Sequence, residues 1–282
     1  MSSKNFIKLL LQNNAKLGNL PDKDLAHQFI DDIFRFLFIP KTGVNQKESD
    51  LEKGFYSLQS HLATLIYDVL NDGAKSQQAV EVFFAALPDI YATLQDDATA
   101  FVANDPAALN VSQILQTYPG FYAIAVYRIS NQLRKQGIRG LPRLFAEYAH
   151  SKTGIDIHPY ATIGKNFFID HGTGVVIGET SIIGNDVRMY QGVTVGALNS
   201  AKTKKKSKRH PTIEDNVIIY SGATILGDIT IGRDCVIGGN AWVTFSVPPN
   251  SLVYNQSEVA DKDSFSHKDS VSKILKTTKK DK

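Results

Sequence analysis

Two histidines in the second half of this 282-residue chain keep chemically suggestive company: Asp170-His171, and Arg209-His210 at the close of a basic run that begins at Lys202. An imidazole titrates near neutral pH, so it can take a proton from a weakly acidic group such as a hydroxyl. A carboxylate or guanidinium beside it supplies charge to hold a polar ligand. A histidine on a surface turn is more often merely solvated, but acid and arginine neighbours shift the reading toward a reacting site. The basic run taken alone faces either solvent or an anionic ligand. His158, before Pro159, reads as a turn residue.

A repeat surrounds these residues and must position them. An aliphatic residue recurs every sixth position at Ile157, Ile163 and Ile169, then after a two-residue slip at Ile177, Ile183, Met189 and Val195. After a polar insertion come Ile213, Ile219, Ile225, Ile231, Ile237 and Val243. An amphipathic helix repeats at three and four residues, so this period excludes one. It indicates a parallel β-helix, whose units bury their faces only by stacking. Three strands close a triangular coil of about eighteen residues, and about four coils at a spacing of ~4.8 Å stand roughly 20 Å tall. The fifth position of each unit is small or β-branched: Ala161, Thr173, Ser181, Val187, Val193, Val217, Ala223, Cys235, Ala241 and Val247. Cys235 is therefore a core residue, and Ala223 and Ala241 stack one coil apart on the same side. Between Val195 and Ile213, Ala201 and Ser207 stand where aliphatics would be required. This gap reads as an extruded loop.

Before residue 150 the apolar spacing turns helical, through 4–14, 24–38, 51–71 and 76–95, with Gly, Pro and Asn-Asp-Gly breaks between. Asn104-Asp105-Pro106-Ala107 has the chemistry of a helix start, with Asp105 as N-cap and Pro106 as first helical residue. Phe121 to Leu133 reads as a further helix, and 141–151 as a short one leading into the repeat. No apolar run approaches the ~18 residues of a membrane span. The first residues lack the apolar stretch of a secretion signal, and the single cysteine cannot form an internal disulfide, so a cytoplasmic location is expected. The net charge of +3 is modest but uneven, with six positive charges in 202–209 and six more in 268–282. No aromatic platform accompanies them, and no nucleic-acid partner is expected.

Several motifs now converge. Glu147-Tyr-Ala-His-Ser-Lys-Thr-Gly-Ile-Asp-Ile-His-Pro159, Ile169-Asp-His-Gly-Thr-Gly-Val175, Ile177-Gly-Glu-Thr180, Gln191-Gly-Val-Thr-Val-Gly196, Lys208-Arg-His-Pro211 and Val247-Pro-Pro-Asn250 occur in order. With Asn104-Asp-Pro-Ala107 and Phe121-Tyr-Ala-Ile-Ala-Val-Tyr-Arg-Ile129, they resemble the serine O-acetyltransferases over roughly residues 100–250. The resemblance implies an α+β chain: an N-terminal all-helical assembly domain (1–140), a left-handed parallel β-helix (141–250) and a C-terminal segment with a basic tail (251–282), flexible at its end. It implies acetyl transfer from acetyl-CoA to the L-serine hydroxyl, giving O-acetylserine for cysteine synthesis, with no metal.

By the same resemblance His171 is the general base and Asp156 the carboxylate that orients it. Asp105 and Asp170 bind the serine ammonium, Arg209 binds its carboxylate, and His210 lies at the substrate or oxyanion. Gly196, Ala223 and Ala241 match CoA contacts. Family members resemble trimers with active sites between prisms, paired into hexamers through their helical domains, and cysteine is a candidate feedback inhibitor. The chain departs from the family where Leu252-Val-Tyr-Asn-Gln-Ser-Glu258 replaces a Gly-Val-Pro-Ala-Arg stretch, and it ends Lys280-Asp-Lys282 in place of isoleucine. A weak or absent complex with O-acetylserine sulfhydrylase is therefore expected. Rival readings are a hexapeptide acetyltransferase for a sugar or homoserine, a metal enzyme using His158, His171 and His210, and a silent scaffold.

Overall fold

A computed structural model describes residues 1–14, 20–40, 47–198 and 207–255. Lys202 to Lys206, Ala201 and the tail from 256 lie outside them. Seven helices come first among the described residues: α1 (Ser3–Asn14), α2 (Lys23–Phe38), α3 (Glu48–Leu70), α4 (Gly73–Asn104), α5 (Val111–Thr117), α6 (Pro119–Lys135) and α7 (Leu141–Thr153). The Asn-Asp-Gly break works residue by residue. Asn71 takes a left-handed conformation that caps α3, and the Asp72 side chain accepts from the Lys75 N–H to start α4. None of the helices is long and apolar enough to cross a membrane.

One expectation is corrected here. Asp105 does not open a helix; it closes the 32-residue α4 as its C-cap. Pro106 explains this, because the residue before proline is driven into extended backbone, and Asp105 has φ −107° and ψ 108°. The next helix starts at Val111, capped by the Asn110 side chain.

Among the described residues fourteen short parallel strands then wind a three-faced prism. The first face holds β1 (Asp156–Ile157), β4 (Val176–Ile177), β7 (Thr194–Gly196), β10 (Thr224–Leu226) and β13 (Trp242–Val243). The second holds β2 (Thr162–Ile163), β5 (Ile182–Ile183), β8 (Thr212–Ile213) and β11 (Thr230–Ile231). The third holds β3 (Phe168–Ile169), β6 (Arg188–Met189), β9 (Ile218–Ile219), β12 (Val236–Ile237) and β14 (Leu252–Val253). All thirteen repeat residues point inward, each 9% exposed or less.

The register explains the irregularities. Ile157 pairs with Ile177, a step of twenty residues, so the slip is absorbed within the first coil. Val195 pairs with Ile225, a step of thirty, so the stretch between them exceeds one eighteen-residue coil by about twelve residues. The inward fifth position at the slip is consequently Val175, fully buried, whereas Thr173 is exposed on the corner. Along the edge between the second and third faces, Asn166, Asp186, Asn216, Asp234 and Asn250 all take positive φ, which Asn and Asp tolerate best after glycine. Asn166 Nδ2 donates to Asp186 Oδ1 at 2.8 Å, and Asn216 Nδ2 to Asp234 Oδ1 at 2.8 Å, so the turns of successive coils are tied together.

The helices dock on the first coil through apolar and polar contacts. Phe101 and Phe121 join the prism core, with the Phe101 ring edge-on to Phe168 at 4.9 Å. Buried Asp97 accepts from Arg128 Nε at 2.5 Å, from Arg128 Nη2 at 2.8 Å and from the Phe167 N–H at 3.0 Å. Arg128 Nη2 also donates to the Gly164 carbonyl, while the Tyr127 hydroxyl and Asn131 amide donate to the Ala161 carbonyl.

Candidate active site

The residues singled out from the sequence gather in two groups, on two different edges of the prism. The first lies where the third face turns into the first. Ile169 ends β3, and the extra residues of the first coil place Asp170 and His171 on the corner. His171 has φ 54°, a left-handed conformation that is uncommon for a residue with a side chain. Asp170 Oδ1 accepts the His171 backbone N–H at 2.8 Å and so supports this geometry. The same carboxylate oxygen lies 3.6 Å from the imidazole Nδ1. The His171 side chain is 72% exposed, that of Asp170 only 16%.

Asp105 joins this corner from the end of α4. Its Oδ1 accepts the Ala107 N–H at 2.8 Å, and its Oδ2 accepts the Tyr118 hydroxyl at 2.6 Å. The Asp105 hydrogen bond, with the charges of Asp105 and Asp170, pushes the Tyr118 hydroxyl up to about 12. Two carboxylates thus both reach the Tyr118 hydroxyl with their charge, an arrangement suited to an ammonium ligand.

The second group lies where the first face turns into the second. Arg209 and His210 close the extruded loop and come back against the Gly178-Glu179-Thr180 turn of the coil below. Arg209 Nη2 donates to Glu179 Oε2. The Thr180 hydroxyl accepts the backbone N–H groups of Arg209 at 3.0 Å and His210 at 3.1 Å. The His210 ring packs against Gly178, where an added Cβ would fall 2.0 Å from the ring carbon Cδ2, so only glycine admits it. Lys208 Nζ donates to the His210 carbonyl, which pins the end of the loop.

Protonation states follow from these contacts. His210 Nδ1 accepts the Thr180 backbone N–H at 3.1 Å, so the ring proton sits on Nε2. Burial, with the positive charges of Arg209 and Lys208, pushes His210 down to about 4. His210 is therefore a neutral N–H donor at physiological pH and not a base. Burial alone would raise the Glu179 carboxyl, but Arg209 holds it below the ordinary range. His158 is the expected turn residue, its Nδ1 accepting the Tyr160 N–H at 3.1 Å. Among the described residues no three His, Cys, Asp or Glu side chains converge as ligands for a metal.

Asp156 lies on β1, where its charge acts on His158. The first-coil register sets it beside Val176, and its carboxylate lies 3.8 Å from Arg143. No hydrogen bond or ion pair joins it to His171 among the described residues. Ala223 and Ala241 stack as expected, but both side chains line the prism interior. Their amides close turns onto Tyr220 and Gly238, and their carbonyls accept from Thr194 and Thr224. Gly196 lies on the outward side of β7, beside Leu226 of β10.

Sequence reasoning gave no role to Glu179, Thr180 or Tyr118. The first two partner residues about thirty positions away, across an insertion whose length hides the pairing. A signal did exist, in that Gly178-Glu-Thr180 was among the family-like motifs. Tyr118 carried no signal of its own.

Comparison with known proteins bears on this geometry. Residues 210–244 match the family model "Bacterial transferase hexapeptide (six repeats)". The chain is 50% identical over 183 residues to a plasmid serine acetyltransferase of Synechococcus elongatus, covering 63% of this chain and 57% of that protein. It is 46% identical over 160 residues to the serine acetyltransferase of Bacillus subtilis, covering 57% of this chain and 72% of that one. The structure of Entamoeba histolytica serine acetyltransferase isoform 3 in complex with cysteine superposes with a TM-score of 0.76 at 33% identity, covering 86% of each chain.

Proposed function

Because the chain belongs to the serine acetyltransferase family, we propose that it transfers the acetyl group of acetyl-CoA to the hydroxyl of L-serine, releasing O-acetylserine and CoA. The observation that carries this reading is the division of charge between the two edges. Asp105 and Asp170 on one edge suit an ammonium; Arg209, with the neutral N–H donor His210, on the other suits a carboxylate. A free amino acid needs both.

One chain cannot offer both to one molecule. A face of the prism separates the two edges by on the order of 15 Å, much longer than serine. In a homotrimer the edge of one prism meets the adjacent edge of the next, and each site is then shared between two copies. The neighbouring prism covers the exposed His171 and removes it from bulk water. Pairing of trimers through the helical domains would make the hexamer.

Within the closed site His171 takes the proton of the serine hydroxyl as the oxygen attacks the thioester carbonyl. The developing oxyanion is met by the Nε2–H of His210, whose ring is already fixed by Gly178 and Thr180. The protonated imidazole then returns its proton to the departing thiolate of CoA. Asp170, beside Nδ1, stabilises the imidazolium within the chain; Asp156 contributes from a greater distance. Acetyl-CoA is the co-substrate. Gly196 offers it bare backbone on the outside of the first face, while Ala223 and Ala241 keep the adjoining corner thin. Cysteine carries serine's ammonium and carboxylate, so it competes for the same charges and inhibits.

A substrate panel tests the proposal. Acetyl-CoA consumption is measured with serine, homoserine and amino sugars, with and without cysteine. Turnover with serine, inhibited competitively by cysteine, is the expected result. Preference for an amino sugar would replace this reading with that of a sugar acetyltransferase.

A further inference from the structure

The ammonium-binding corner contains a residue that touches no substrate in the scheme above yet controls a group that does. Asp105 sits on the link between α4 and α5, where a carboxylate held only by its own turn would rotate freely. Its Oδ1 is held by the Ala107 N–H at 2.8 Å and its Oδ2 by the Tyr118 hydroxyl at 2.6 Å. An ionised carboxylate has about four lone-pair sites, so two remain for a ligand once these bonds are made.

Tyr118 is itself fixed on three sides. Its backbone N–H donates to the Ile114 carbonyl at 3.2 Å, ending α5, and the next residue is Pro119, which starts α6. Its ring is edge-on to Phe101 at 5.9 Å, and Phe101 is in turn edge-on to Phe168. Gly120 then packs so closely that an added Cβ would lie 2.2 Å from the Ile169 carbonyl oxygen, one residue before Asp170. The chain of contacts therefore runs from Asp105 through Tyr118 to the backbone that carries Asp170.

We propose that Tyr118 is a positioning residue that orients Asp105 against Asp170, and so sets the preference of this enzyme for an acceptor bearing an α-ammonium group. This rests on the reading of Asp105 as an ammonium ligand. The hydroxyl removes the rotational freedom of a charged ligand group, and both carboxylates meet the cation in one geometry.

The test compares Tyr118→Phe and Asp105→Asn with the unaltered protein, using serine as substrate and 3-hydroxypropionate, serine without its amino group, as competing inhibitor. Tyr118→Phe should raise the serine KM about 10-fold, as loss of a hydrogen bond to a charged group does. Its kcat and its inhibition by 3-hydroxypropionate should stay within about twofold, because neither depends on the ammonium. Equal weakening of serine and 3-hydroxypropionate would show a general distortion and overturn the proposal. So would an unchanged serine KM in Tyr118→Phe when Asp105→Asn raises it. If Asp105→Asn leaves the serine KM unchanged, the ammonium role of Asp105 fails, and the proposal fails with it.

Discussion

Substituting His171 by alanine should lower turnover at least ~100-fold, the scale of lost general-base catalysis, while serine binding changes far less. The argument is chemical before it is structural. A serine hydroxyl is too weakly acidic to attack a thioester unaided, and His171, exposed beside Asp170, is the imidazole assigned to act as base. His210 is excluded, since its Nδ1 is occupied by the Thr180 N–H and its pKa is held down to about 4. One complication is the backbone. His171 has φ 54°, and alanine there costs roughly 1 kcal/mol of local strain. His171→Asn removes that objection, because asparagine tolerates the conformation but offers no base. Both variants should be equally inactive in steady-state assays. An active asparagine variant would mean that the corner geometry matters and the imidazole does not.

The second large effect concerns stability. Asp97→Ala should destabilise the fold by about 3–5 kcal/mol, as removal of one partner from a buried ion pair does. Asp97 is fully buried and the Arg128 side chain only 9% exposed, so the guanidinium would be left charged in the interior. The Phe167 N–H would lose its acceptor as well. The pair spans α4, α6 and the first coil, which is the joint between helices and prism, so melting should fall by roughly 10 °C. Replacing both residues together, Asp97→Leu with Arg128→Met, should cost less than Asp97→Ala alone, because no charge is stranded. Thermal denaturation of the two variants decides it. Equal losses would show that the ion pair itself, and not a stranded charge, supplies the stability.

The prism was legible almost residue by residue, because a six-residue period leaves little choice of which side chain points inward. The interruption of the repeat was legible too, from polar residues where the period required aliphatic ones, and the thirty-residue step from Val195 to Ile225 matches it. What the period does not reveal is which corner a turn residue occupies. Thr173 was counted as inward because the two-residue slip could be placed on either side of it, and packing chose Val175. Asp105 was misread because Asp-Pro is equally compatible with a helix start and a helix end, and the length of α4 decides between them. The pairing of Glu179 with Arg209, and of Thr180 with His210, depends on a register shifted by the insertion. No local pattern encodes it. The candidate site was thus legible as a set of residues, but which of them share an edge of the prism was not.

The central claim is that each site is built by two copies of the chain, and hybrid trimers test it most directly. His171→Ala and Arg209→Ala chains, carrying different affinity tags, are coexpressed, and only assemblies retaining both tags are kept. Activity is measured at serine concentrations too low for the Arg209 variant to bind. In any mixed trimer, one of the three interfaces joins an intact His171 edge to an intact Arg209 edge, so about a third of the unaltered activity should return. If the mixed assemblies are as inactive as either variant alone, the site lies within a single chain and the account is wrong.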